Sequence, residues 1–457
     1  MIFRNGCADE DGGFSLNLLG EPVNLAVMHL KQMSWLVPVA LVCLMTRADE
    51  INPPASPAAE SVVAIVGAQL IDGRGGMPLP DSVVVVRGNR IDAVGRRGEL
   101  SIPEGADVIE AGGLSLLPGL VDSHFHSRYD TTIPVTYQLH HGITSFRDPG
   151  HPVRFYDPVK ASKTPMPRVF LCGAHLDGPP PVWPDQAVVI TNSDLARRTV
   201  HAHVDRGASA IKVYFRLELT HIRAVCEAAS ERGVPVTAHL ELVEVPDAIA
   251  AGVRGIEHVT SFGTTLASRK NVKRFKDAVR ADSSARRSLR HWLWSTIELE
   301  NNPALPSLLE SMLRNDVTVS PTLAIFERRA GVRGGTAEQA KAFEAMKDFV
   351  NVCRRAGVSI VVGSHTSAPF APKGRAYQRE MELLQECGMK PLEVIRSATL
   401  ETARFLQVAD LLGTVESGKL ADLILVDGDP SMSLEAMTRV RRVMLNGQWV
   451  TLPDEKR

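Results

Sequence analysis

Between residues 60 and 117, short runs in which apolar and polar positions alternate recur: VVAIVGAQLI, SVVVVRGNRI and IDAVG, separated by the turn-forming stretches DGRGG and EGAD. A period of two is that of half-buried strands, so this segment predicts a small antiparallel β unit. The same texture returns in ADLILVDGD (421–429) and VRRVMLNGQWV (440–450). The two ends of the chain are therefore expected to build one β-sandwich around whatever lies between. There, eight apolar runs follow one another: LLPGLVDSH (116–124), ITSFRD (143–148), RVFLCGA (168–174), ASAIKVYF (208–215), VPVTAHL (234–240), RGIEHVT (254–260), DVTVSPTL (316–323) and VSIVVGSHT (358–366). Stretches of helical period separate many of them, among them LTHIRAVCEAASERG and TAEQAKAFEAMKDFVNVCRRAG. Strands alternating with helices predict an α/β fold with a parallel sheet, and eight of them suggest a closed (β/α)8 TIM-type barrel inserted in the composite sandwich. An open doubly wound sheet is the alternative. It would want a glycine-rich turn after its first strand, where this chain has VDSHFH.

The expected organisation is a leader at 1–48, a linker at 49–59, sandwich segments at 60–117 and 411–457, and a barrel at 118–410 interrupted by a helical insertion at 262–315. Within the leader, MHLKQMSWLVPVALVCLMTRADE (28–50) has a lysine, an apolar stretch too short to span a bilayer, and an acidic turn. This is the layout of a secretory signal peptide, with Met28 or Met33 the expected start, export to periplasm or medium, and no stable membrane insertion after its removal. A lipidated Cys43 fits less well because Val42 precedes it, and a buried core segment is the remaining option. The 51 basic and 52 acidic residues nearly cancel, so no overall field recruits nucleic acid or an anionic membrane. One local run, RKNVKRFKDAVRADSSARRSLR (269–290), is strongly basic and is expected to be a solvated helix face or a lid. Six cysteines contain no CxxC pair, which argues against a thiolate metal site.

Five of the fourteen histidines fall at predicted strand tips: His124, His126, His239, His258 and His365. Residues i and i+2 of a strand share a face, so His124 and His126 can converge on one ion, as Lys212 and Tyr214 share a face in IKVYF. Imidazole suits zinc and related divalent ions. Taken singly, His239 and His258 read first as hydrogen-bonded loop residues, and Lys212 as a snorkelling or ion-paired lysine.

Together, GLVDSHFH, AIKVY, VTAHL and IEHVT resemble the amidohydrolase superfamily, in the branch of imidazolonepropionase-like and prolidase-like (Xaa-Pro dipeptidase-like) enzymes. The opening GAQLIDGRGG and the stretch SATLETARFLQVADLLGTVESGKLADLILVDGDP carry the same resemblance, which covers about 60 to 450. It implies one or two divalent metal ions, with zinc the expected element. His124 and His126 would hold one ion, His239 and His258 the other, and a carboxylated Lys212 would bridge them. It also implies attack of an activated water on an amide-like carbonyl, with an aspartate at the eighth strand tip as last ligand and base.

Gly363-Ser364-His365 stands at that tip instead, and no acid follows until Glu380. Three expectations follow. His365 itself serves as ligand or base; or a single-metal site uses another acid, Glu241 or Asp148; or catalysis is lost and a ligand-binding relic remains. Other candidates are Asp122, as a carboxylate holding a ligand imidazole, Tyr214, facing the substrate or an oxyanion, and Arg147, pairing a substrate carboxylate or an acid such as Asp148. The expectation is a metal-dependent hydrolase of a C–N bond in a small, dipeptide-like or cyclic amide substrate, with a homo-oligomer left open. A non-catalytic binding protein on the same scaffold, or a lactone or carbamate hydrolase, are the rivals.

Overall fold

The structure, a computed structural model, describes residues 57–127, 136–157 and 165–451; the signal-like segment at 28–50 lies outside them. The alternating runs at the two ends form one eight-stranded sheet, in the order Gln448–Trp449, Val440–Leu445, Leu423–Asp427, Leu114–Pro118, Val62–Leu70, Leu79–Arg87 and Arg90–Arg96, with Asp107–Glu110 paired to Val62–Leu70. The N- and C-terminal segments join where Leu114–Pro118 runs antiparallel to Leu423–Asp427. Alternation explains the two cores of this sheet. Val63, Ile65, Val84 and Val86 pack with Leu116, Leu425 and Met444 on one side, while Ala64, Val66, Val83 and Val85 pack on the other.

Inserted between those segments is the (β/α)8 barrel. Its strands are Leu120–Asp122, Ile143–Asp148, Arg168–Leu171 (resuming as His175–Asp177), Ile211–Val213, Val236–His239, Gly255–Glu257, Thr318–Ser320 and Ser359–Ile360, paired in parallel from neighbour to neighbour. The ring closes between eighth and first strands, where the Ser123 amide donates to Val362 O at 2.8 Å and the His365 amide to His124 O at 2.7 Å. Each of the eight strands expected from the apolar runs is present. The longer runs reflect strands buried on both faces, which read as continuous rather than alternating.

Outer helices follow their apolar period. Leu219–Glu231 buries Ile222, Val225, Cys226 and Ala229, one stripe of a 3.6-residue repeat. Ala337–Ala356 begins in a capping box of Thr336 and Gln339 and stops at Gly357, in the left-handed conformation that ends helices. Between sixth and seventh strands an insertion supplies the helices Arg269–Ala281, Arg286–Ser295 and Leu305–Arg314. Here the basic run departs from a uniformly solvated face. Val272, Phe275 and Val279 form the buried face of its first helix, and Phe275 and Val279 pack with Phe215 and Leu293. That anchoring turns the start of the second helix inward, so Arg286 is only 5% exposed.

Candidate active site

The strand tips place His124, His126 and His365 so that one ring nitrogen of each lies within 4.8 Å of the others. His124 Nε2 is 3.1 Å from His126 Nε2, and the His124 and His365 rings stack with centroids 5.3 Å apart. His258 adjoins this trio, 4.6 Å from His124 and 5.3 Å from His365 between centroids, and His239 follows at 4.5 Å from His258. All five histidines singled out in the sequence thus meet at one mouth, together with Lys212 and Tyr214.

Backbone conformation aims them. His258 (φ 65°), Thr322 (φ 48°), His365 (φ 53°) and Thr366 (φ 75°) all lie in the left-handed region. For non-glycine residues this is costly and is tolerated where the surroundings impose it. Strand alternation would send Glu257 and His258 to opposite faces; the left-handed turn at His258 lets both reach the interior. Gly363 is required for a different reason. A Cβ there would lie 2.6 Å from Ser320 Oγ and 2.8 Å from His124 Cβ, so any side chain would push the first tip aside.

Beneath the histidines lies Glu257, fully buried. The motif IEHVT points to its histidine alone, so this acid is a functional residue that the sequence reading missed. It accepts from Arg147 Nη2, meets His124 Nδ1 at 2.5 Å and lies 3.5 Å from Lys212 Nζ. Burial alone would raise its pKa; Arg147, Lys212 and His124 outweigh that and hold it well below the carboxylate range. The anion fixes the proton of His124 on Nδ1 and leaves Nε2 with its lone pair facing the trio. An acid inside an apolar strand was the signal that could have found it.

Burial also lowers every imidazole of the cluster: His124 and His239 to about 4, each partly offset by its glutamate, and His365 to about 3, with His124 adding to the fall. His126 and His258 are likewise pushed well below the ordinary histidine value by burial and by their neighbours. At neutral pH these rings are neutral lone-pair donors, the form a metal requires. Burial brings Lys212 down to about 8, Glu257 opposing it. Lys212 Nζ, His239 Nδ1 and Glu241 Oε2 are buried without hydrogen-bond partners. Neutral nitrogens converging beside orphaned polar atoms fit a divalent cation.

Several expected contacts differ. Asp122 does not hold an imidazole; its Oδ1 accepts the backbone amides of His124 and Ser364, both at 3.0 Å, tying the first and eighth tips together. Arg147 does not face a substrate: it is fully buried and donates to Ser123 O, Thr237 Oγ1 and Glu257 rather than to Asp148. Asp148 turns away from the cluster to His151 Nδ1 (2.9 Å), the Tyr156 hydroxyl and the Ser127 amide. Glu241 does reach the site's edge, with Oε1 3.0 Å from His239 Nε2.

The cavity above measures about 600 Å³ and has two walls. One is the histidine cluster. The other comes from the insertion and neighbouring loops: Arg286, Arg287 and Arg290 with Trp183, Tyr214 and Phe326. Tyr214 Oη accepts from Trp183 Nε1 at 3.2 Å and Arg286 Nη2 at 3.3 Å, so its own proton remains free to donate. Burial lowers Arg290 to about 10, with nearby Glu241 opposing the fall. The sequence gives no notice of these arginines, because a basic run carries no sign of which members turn inward.

Residues 115–450 match the Amidohydrolase family. The chain belongs to that family. A crystal structure of a Xaa-Pro dipeptidase with bound methionine in the active site superposes with a TM-score of 0.64 at 24% identity, covering 85% of this chain and 99% of that one. A prolidase complexed with N-methylphosphonate-L-proline gives 0.66 at 20% identity, covering 86% and 100%. N-acyl-D-aspartate deacylase of Alcaligenes xylosoxydans xylosoxydans is 46% identical over 68 residues, 15% of this chain and 13% of that enzyme's length. Membership in the amidohydrolase family supports a hydrolase acting on amide bonds.

Proposed function

We propose that this amidohydrolase cleaves a C–N bond of a small amide or dipeptide-like substrate at the barrel mouth, with one or two divalent ions, zinc by preference. The observation that carries this is the convergence of His124, His126 and His365 nitrogens within 4.8 Å above the Glu257 floor. His124, His126 and His365 would hold one ion; His239 and His258, with Lys212 carboxylated as a bridge, would hold a second. A divalent ion there supplies a Lewis acid for the carbonyl and acidifies water.

The protein's own groups divide the remaining work. A pKa near 3 makes His365 a poor proton acceptor at neutral pH and suits it to ligation. Glu241, ionised and with Oε2 unpaired, is the acceptor for the proton released by water and its donor to the leaving nitrogen. The Tyr214 hydroxyl donates to the oxygen that gains charge. Export of the mature chain belongs to the same proposal. The four cysteines among the described residues are unpaired and buried, so an oxidising compartment would meet no exposed thiol in that part.

Metal content of the purified protein, measured beside turnover on an amide and dipeptide panel, tests this. One or two equivalents of zinc are expected, and His365→Ala should lose metal and turnover together. Glu241→Gln should keep the metal and lose turnover by about 100-fold or more, the contribution typical of general-base catalysis. A folded, metal-free protein without activity on the panel would overturn the proposal.

A further inference from the structure

We propose that the helix wall of the cavity is a carboxylate-binding subsite, built by Arg286 and Arg290, so that the hydrolysed amide carries a carboxylate and an apolar body; the substrate part rests on the hydrolase function proposed above. Among the described residues no aspartate or glutamate lines the cavity, whereas Arg286, Arg287 and Arg290 all do. The carboxylates behind the histidine wall belong to it: Glu257 meets Arg147, His124 and Lys212, and Glu241 spends Oε1 on His239.

Arg286 and Arg290 stand four residues apart on one helix, the spacing at which like charges repel. Each has its Nε buried without a partner. Among the described residues neither forms an ion pair; Arg286 spends Nη2 on Tyr214, and the guanidiniums lie 5.0 Å from the Phe215 ring centre and 4.6 Å from that of Phe326 respectively. Desolvated, mutually repelling cations aimed into a cavity are unfavourable unless an anion arrives to complete them. A guanidinium fork matches the two oxygens of a carboxylate. Charge favours that class over a dianion. Among the described residues Glu241 is the carboxylate that acts on both arginines, so this pair, Arg287 on the exposed edge aside, keeps a single positive charge. Phe326, Ile325 and Trp183 line the same space and suit an apolar or aryl body.

Calorimetric binding of 4-phenylbutanoate and of neutral 4-phenyl-1-butanol to the purified protein tests the subsite without any turnover. The acid is expected to bind roughly 10- to 100-fold tighter, the range for a charge-assisted contact. Arg286→Gln/Arg290→Gln should abolish the preference while circular dichroism stays unchanged, and Arg290→Lys should keep part of it. Equal binding of acid and alcohol would overturn the subsite, as would a preference that survives the double variant, since the acid would then sit at the histidine wall. Tighter binding of 4-phenylbutylphosphonate than of the acid would overturn the assignment to a monoanion. Turnover on the amide panel is read separately. An intact acid preference without turnover would sink only the hydrolase function, and equal turnover of acidic and neutral amides would sink only the subsite.

Discussion

The two walls of the cavity are built on opposite terms. On the strand wall the first, sixth and eighth tips are secured from behind, though Lys212 Nζ and His239 Nδ1 stay unmet: His124 by Glu257, Glu257 by Arg147 and Lys212, the first and eighth tips by Asp122, and His258 by the Thr322 hydroxyl at 2.6 Å. On the helix wall Arg286 is buried and Arg290 half-buried, each with its Nε unmet. Groups that must stand in fixed geometry are held by supporting contacts in advance, whereas groups that recognise a ligand can leave their last contact for the ligand to make. The site thus separates a preorganised reaction centre on strands from an unfinished recognition surface on an insertion.

The largest expected effect strikes the support of the strand wall. Glu257→Ala leaves Arg147 buried without its anion, and removal of one partner from such a pair costs about 3–5 kcal/mol. Urea denaturation should show that loss, while Arg287→Gln on the exposed edge of the helix wall stays within about 0.5 kcal/mol of wild type. Comparable losses in the two variants would dissolve the distinction between the walls. A moderate effect is expected from Gly363→Ala, whose new methyl would crowd Ser320 and His124. Overpacking of this kind costs about 1–3 kcal/mol, and turnover should fall further than stability because the histidine tip moves. A variant with full turnover would show that the tip is not held to the geometry described.

The smallest effect is a slope. Glu380 lies behind the seventh tip, accepting from the Leu323 and Ala324 amides, and burial, opposed by those bonds, raises its pKa from 4.5 to about 8. Folding therefore takes up a proton between those values. The stability tied to it is complete below about pH 4.5 and is lost as pH rises through about 8. Glu380→Gln, neutral throughout, should flatten thermal stability between pH 5 and 9. The arginines of the helix wall stay charged across that window and contribute no slope; an unchanged slope in this variant would assign it to another group.

What the sequence disclosed follows from how local each signal is. Strand runs and their order were legible because two-sided burial writes itself as unbroken apolar stretches, and histidines at their ends marked the mouth. Contacts decided across the barrel were not legible. Arg147 and Asp148 are neighbours in sequence, yet Arg147 turns to Glu257 and Asp148 to His151, and the first choice is fixed by a strand 110 residues away in the chain. Glu257 was hidden because alternation assigns its neighbour's face, and only the left-handed His258 brings both inward. The basic run failed as a signal for the same reason: apolar anchors at Phe275 and Val279 choose which of its arginines meet solvent.

The pairing of Leu114–Pro118 with Leu423–Asp427 has a consequence for how the chain is made. A ribosome delivers the first partner roughly 300 residues before the second, so during synthesis the early strands wait with an open edge that other chains can pair with. The barrel is closed within its own residues and can form in that interval, whereas the sheet is completed only when the last segment emerges. Chain termination short of Leu423 would therefore strand a nearly finished barrel beside an unsealed sheet, a species suited to aggregation rather than to work.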